Sequence, residues 1–139
     1  MQKILCIIIL AVLVSCGSHK KTVNNNDYDW RVTVSSITTT YDKDFYPTFH
    51  FTLKNNTSKT ISTFDATLRI TYADKNTGEY VNYMIRSARW QTTLAPGQTR
   101  NYNYTTDDCR YDYNPWKYIS TCRAVRVTSI RFSDGTVSY

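Results

Sequence analysis

The chain has 139 residues but only two histidines, four glycines and four cysteines, and each scarcity removes a class of chemistry. With His19 and His50 as the whole histidine complement there is no H-E-x-x-H helix, and no histidine or second cysteine pair completes a tetrahedral metal site. There is no Gly-rich phosphate loop and no G-x-S-x-G turn. Ser, His and Asp all occur, but His50 alternates with Phe49 and Phe51 and therefore faces away from them, as a solvated residue. Cations come singly, as in Arg86, Arg89, Arg100 and Arg110, with no run beyond Lys20-Lys21, so a nucleic-acid interface has no basic stripe to rest on. Asp107, Asp108 and Asp112 offer oxygen ligands for calcium, but their spacing matches no dedicated loop, and an acid pair facing Arg110 explains them as well. The sequence thus names no catalytic residue, no metal and no cofactor, and the expectation is a protein that is not an enzyme.

A long hydrophobic run is also missing. The one candidate, Ile4 to Val14, has eleven residues behind Met1, Gln2 and Lys3. As a helix it reaches about 17 Å against a hydrocarbon core of about 30 Å. A cation, a short apolar stretch and a small residue before the break describe a secretory signal rather than a membrane span. An ordinary signal peptide, or a buried strand opening a cytosolic domain, are the alternatives, and the run is longer than a strand requires.

The end of that run, Leu13-Val14-Ser15-Cys16, resembles the lipobox of bacterial lipoproteins: two aliphatic residues, a small one, then the cysteine that is acylated and becomes the new N-terminus. The resemblance implies a signal peptide over residues 1–15, lipidation at Cys16, and insertion of acyl chains into the bilayer. Several buried chains at about 0.8 kcal/mol per CH₂ anchor a protein permanently. Gly17 follows the cysteine where an Asp tends to retain Gram-negative lipoproteins in the inner membrane, and "GSHKKT" has no acidic residue of the kind that marks surface export. The implied location is the outer membrane, facing the periplasm. Residues 16–27 hold the lipidated end and a polar tether, whose eleven residues after the cysteine reach about 35 Å when extended.

Removing residues 1–15 takes out one cation, Lys3, and leaves 16 basic and 11 acidic side chains, a net charge of +5. Cys6 leaves with the signal and Cys16 takes the lipid, so Cys109 and Cys122 remain. In an oxidising compartment such a pair reads as a disulfide, worth about 3 kcal/mol for a loop of this length, with two free thiols or a metal-binding pair as the alternatives.

Residues 28–139 read as one all-β domain. Trp30, Val32 and Val34 share one face of "WRVTV", Phe49, Phe51 and Leu53 one face of "FHFTL", and Phe64 to Tyr72 alternate through "FDATLRITY". "YVNYMIRSARWQTTL", "TRNYNYT" and "AVRVTSIRF" supply further strands, and breaks fall at 54–59, 73–79, 95–99 and 133–136. In "AVRVTSIRF" the apolar parity changes between Val127 and Ile130, which predicts a bulge near Thr128 and Ser129. Pro96-Gly97 suits a type II turn and Asp134-Gly135 a tight hairpin. About seven strands with these turns predict an antiparallel β-sandwich.

The succession "FHFTLKNNTSKTISTFDATLRITYADKNTGEYV", "LAPGQTRNYNY" and "VTSIRFSDGTVS" resembles the immunoglobulin-like FxLYD family and related lipoproteins, although "TYADKNTG" departs from the family's "LYD" by an inserted Ala and a longer turn. The resemblance implies an immunoglobulin-like sandwich and carries no catalytic signature.

The segment "CRYDYNPWKYISTC" interleaves Tyr111, Tyr113, Trp116 and Tyr118 with both signs of charge. Rigid aromatics with polar tips suit recognition of a protein or stacking on a sugar ring, and a disulfide across 109–122 would pre-order them. The alternative is that Trp116 and one or two tyrosines plug the open end of the sandwich. The functional expectation is a membrane-anchored envelope adaptor that binds another envelope protein, with a glycan-binding module as the alternative.

Overall fold

A computed structural model describes residues 29–44, 46–105 and 117–139. Seven strands and no helix are present among them: β1 (Val32–Tyr41), β2 (Pro47–Asn55), β3 (Ile61–Asp74), β4 (Tyr80–Leu94), β5 (Thr99–Thr105), β6 (Tyr118–Phe132) and β7 (Val137–Ser138). They form two antiparallel sheets, ordered β1-β2-β5 and β4-β3-β6-β7, which pack face to face as a β-sandwich.

Alternation fixes which side chains fill the space between the sheets. Phe49, Phe51 and Leu53 enter from β2, and Phe64, Ala66, Leu68, Ile70 and Tyr72 enter from β3, all buried. Val125, Val127, Ile130 and Phe132 complete the core from β6. The predicted bulge is present: Asp65 pairs with Ser129 and Ala66 with Val127, so Thr128 is the extra residue, and its hydroxyl donates to the Asp65 carbonyl at 3.2 Å. Val127 and Ile130 consequently both face inward. A second irregularity, between Ser35 and Thr38 in β1, carries Ser36 at φ 52°.

The turns follow their chemistry. Gln98 N donates to Ala95 O at 3.0 Å with Gly97 at φ 72°, the geometry that a type II turn demands of its third residue. Gly135, at φ 84°, donates to Phe132 O, and Phe132 N donates to Thr136 O, which closes the β6–β7 hairpin through a left-handed glycine.

The end of β2 is a polar knot. Asn55 is fully buried, yet every side-chain valence is used: Nδ2 donates to Lys59 O at 2.8 Å and Leu94 O at 2.9 Å, and Oδ1 accepts from Thr57 N at 2.9 Å and Thr57 Oγ1 at 2.7 Å. Its backbone also pairs with Gln98 O and Gly97 N, so one residue ties the 55–59 turn to the 95–98 turn.

Two aromatic clasps close the flanks. Trp90 on β4 donates Nε1–H to Asn103 O on β5 at 3.0 Å. On the other side the Tyr41 hydroxyl donates to Ser120 O at 2.7 Å and accepts from Ser120 N at 3.1 Å, joining β1 to β6.

Two expectations need correction. Trp30 is not a core residue: it is 77% exposed in the turn before β1. The chain is held there by Arg31, whose Nε and Nη2 grip both oxygens of Asp29 at 2.7 and 2.8 Å while Nη1 donates to Ser138 Oγ at 2.9 Å. The last strand of the core also starts earlier than expected. Residues 118–122, read above as the end of the aromatic segment between the two cysteines, are strand, with Asp74 paired to Tyr118 and Ile70 to Cys122.

Candidate functional site

Cys16, Cys109, Tyr111, Tyr113 and Trp116 lie outside the described residues, as do Asp107, Asp108 and Asp112. Cys122 and Tyr118 are described, and neither stands where a binding loop would put it. Cys122 is a buried free thiol on the inner face of β6, so the expected bridge to Cys109 is not seen. Its sulfur contacts Ala124 O at 3.4 Å, and burial pushes the thiol up to about 11, far from the reactive thiolate. Tyr118 packs against the core at the mouth of the sandwich, and Lys117 Nζ sits 5.1 Å over its ring. Tyr118 does so as a strand residue of β6, paired with Asp74. His50, half-buried on the outer face of β2, bonds Thr40 Oγ1 at 2.8 Å.

The exposed chemistry is concentrated elsewhere, on the outer face of the β4-β3-β6-β7 sheet. Residues alternating with the core positions of β3 point outward, and their pairs define the face row by row. Thr63 lies beside Gln91 and Arg131; Asp65 beside Arg89 and Ser129; Thr67 beside Ser87 and Arg126. Arg69 lies beside Ile85 and Ala124, and Thr71 beside Tyr83 and Thr121. Arg123, the extra residue of a bulge between Ala124 and Cys122, donates Nε–H to Thr71 Oγ1 at 3.2 Å and so joins the same face. Five arginines from three strands therefore share this face.

Several side chains of this face are held in place. Arg89 makes a fork to Asp65, Nε to Oδ1 at 2.6 Å and Nη2 to Oδ2 at 3.0 Å, and Ser129 Oγ donates to the same carboxylate at 2.6 Å. These bonds, Arg89 first, lower the Asp65 carboxyl to about 2. Arg69 sits 5.0 Å over the Tyr83 ring. A shallow hollow of about 540 Å³ crosses the face, rimmed by Trp30, Ile85, Arg126 and Tyr139. Tyr139 is 91% exposed and Ile85 59%, so apolar area remains open around the cations.

The depressed Asp65 has a pH consequence. Because its folded pKa lies below its unfolded value of 3.8, its stabilisation is present above that value and is lost as pH falls toward about 2. Arg89 is mostly exposed, so solvent screening limits the effect. Asp65→Asn is expected to lower the melting temperature by about 3 °C at neutral pH, and the gap to the unsubstituted chain should close between pH 4 and 2 in calorimetry. A gap that persists at pH 2 would contradict the ion pair.

The sequence reading missed this face. Its signal was present: the parity change that brings Val127 and Ile130 to one side also brings Arg126 and Arg131 together on the other.

Among the described residues no group of three or more His, Cys, Asp or Glu is arranged to hold a metal ion. No protein-family model matches the chain, and no curated protein matches it. It is similar in structure to a hypothetical protein from Peptoclostridium difficile 630, solved by X-ray crystallography, with a TM-score of 0.50 and 13% sequence identity, covering 81% of this chain and 87% of that one. At that identity the likeness speaks for the shared β-sandwich alone.

Proposed function

We propose that this chain is a non-enzymatic envelope lipoprotein, acylated at Cys16, whose β-sandwich is an adaptor docking another envelope protein through the outer face of the β4-β3-β6-β7 sheet. The lipobox-like Leu13-Val14-Ser15-Cys16 and the polar tether support the anchor and an outer-membrane, periplasm-facing location. One observation carries the docking reading. The inner faces of the sheets pack on one another, yet Tyr83 and Ile85 stay exposed beside five arginines on one face, and Trp30 and Tyr139 stay exposed at the rim of its hollow. Aromatic residues and arginine are the side chains that dominate protein-binding energetics. The glycan alternative depended on the aromatics of residues 109–122, and Tyr118, the described one, is spent on core packing.

Two substitutions test the two halves of this reading. Cys16→Ala should abolish labelling by an alkyne fatty acid and release the protein from membranes; a label that stays on the variant would overturn the anchor. Ile85→Asp, on exposed β4, should cut recovery of a crosslinked envelope partner about tenfold, roughly 1.4 kcal/mol, while the melting temperature barely moves. Thr52→Asp, on the outer face of β2, should leave recovery unchanged. Equal loss in both would remove the assignment to this face.

A further inference from the structure

The described residues include eight arginines and five lysines, and five of the arginines share one face that holds none of those lysines. Arg69, Arg89, Arg123, Arg126 and Arg131 all lie on the outer face of the β4-β3-β6-β7 sheet. No lysine does. Lys43, Lys59, Lys75 and Lys117 are in turns and loops, and Lys54 is on the other sheet. The opposite outer face is nearly neutral: Thr48, His50 and Thr52 of β2 are flanked by Thr105, Asn103 and Asn101 of β5.

Net charge alone does not require this division, because lysine supplies the same charge on a surface. What arginine adds is a planar fork that binds a carboxylate through two parallel hydrogen bonds, with a weaker hydration shell to remove. The one side-chain carboxylate on the face among the described residues, Asp65, shows that geometry with Arg89 and is thereby already engaged. Asp29 at the rim of the hollow is likewise held by Arg31. The remaining guanidinium groups are partly ordered before any partner arrives, Arg69 by the Tyr83 ring and Arg123 by Thr71, which reduces the entropy lost on docking.

Resting on the docking reading above, we infer that the partner of this face is a protein presenting a carboxylate-rich surface, paired by Arg69, Arg123, Arg126 and Arg131 around contacts to Ile85, Trp30 and Tyr139. Enrichment in arginine and aromatics with depletion of lysine is the composition of a protein interface core. A surface that only held anionic headgroups by attraction would serve as well with lysine. Five outer-face rows at about 6.7 Å spacing spread these groups over about 27 Å, room for several carboxylates rather than one ligand. Association should be fast and strongly weakened by salt.

The test uses the full chain in non-ionic detergent, a fluorescein-labelled oligoglutamate peptide as the acidic probe, and vesicles of phosphatidylglycerol with phosphatidylcholine as the rival. Arg69→Gln with Arg126→Gln should weaken peptide binding at least about tenfold, roughly 1.4 kcal/mol. Lys43→Gln with Lys54→Gln changes the net charge equally and should weaken it less than about twofold. Equal losses in the two pairs, or full retention of binding by Arg69→Lys with Arg126→Lys, would overturn the carboxylate-fork assignment. Vesicle binding tighter than peptide binding with the same arginine dependence would overturn the protein partner in favour of a lipid surface. A photo-crosslinker at Thr67 separates this inference from the reading beneath it. An adduct with an envelope protein that forms undiminished in the arginine variants keeps the docking face and rejects only the acidic partner, whereas no adduct at Thr67 rejects the docking face itself.

Discussion

Asn55→Leu should destabilise the domain by about 3 kcal/mol and lower its melting temperature by about 12 °C or more. The volume is nearly kept, so the loss is one of hydrogen bonds. Leu94 O loses a buried donor and Thr57 N an acceptor, while Lys59 O and Thr57 Oγ1 each lose their bond to Asn55 and keep the 3.0 Å bond between them. An orphaned buried group costs about 1–3 kcal/mol, and some of these four will find water as the turn loosens. Asn55→Asp separates the parts. It keeps the acceptor for Thr57 but aims a carboxylate at two carbonyl oxygens, so it should be strongly destabilising at neutral pH and partly rescued by acid, when a protonated oxygen can donate. Melting curves of both variants at pH 7 and 4 check this; a shift below about 4 °C for Asn55→Leu would show that the turns hold without the knot.

Phe64→Ala should cost about 3–5 kcal/mol. Phe64 is completely buried at the centre of an aromatic cluster: it stacks on Trp90 with centroids 5.1 Å apart at 10°, and meets Tyr102 edge-on at 4.9 Å and Phe51 at 6.5 Å. Removing it leaves a void between sheets whose neighbours are themselves anchored. Trp90 is fixed to Asn103 O, and the Tyr102 hydroxyl bonds Thr92 Oγ1 at 2.7 Å, so neither ring can collapse into the gap without breaking a hydrogen bond. Denaturant unfolding should show the midpoint falling with an unchanged slope. Phe64→Leu, which refills most of the volume, should recover at least half of the loss.

The sandwich was legible in the sequence because period-two alternation in "FHFTL" and "FDATLRITY" survives in strands with one buried face, and because Gly97 and Gly135 sit where positive φ is required. Elsewhere the pattern hid the structure. Trp30 continues the alternation of Val32 and Val34, but the Arg31–Asp29 fork turns the chain out of the sheet before it. The early part of β6 escaped notice because its inner face carries Ser120, polar yet fully buried with its backbone bonded to Tyr41, while Ile119 points outward. The arginine face rests on two bulges, of which only the one at Thr128 was legible in the sequence. Arg123, Arg126 and Arg131 fall at odd separations, which in an unbroken strand sends neighbours to opposite faces; the extra residues at Arg123 and Thr128 return all three to one. Of the candidate site read from the sequence, only Tyr118 and Cys122 are described, and both serve the core. Arg69 and Arg89, on other strands, carry no such local signature, since their place on the face depends on which strands become neighbours.

The central claim is that one face of the sandwich meets another envelope protein. A photoreactive residue placed at Ser87 or Thr67, between the arginines, and at Thr38 or Thr52 on the opposite outer face puts it to direct trial in intact cells. The account predicts a discrete protein adduct from Ser87 and Thr67 and none from Thr38 and Thr52. Adducts confined to Thr38 and Thr52, or equal from both faces, would contradict it.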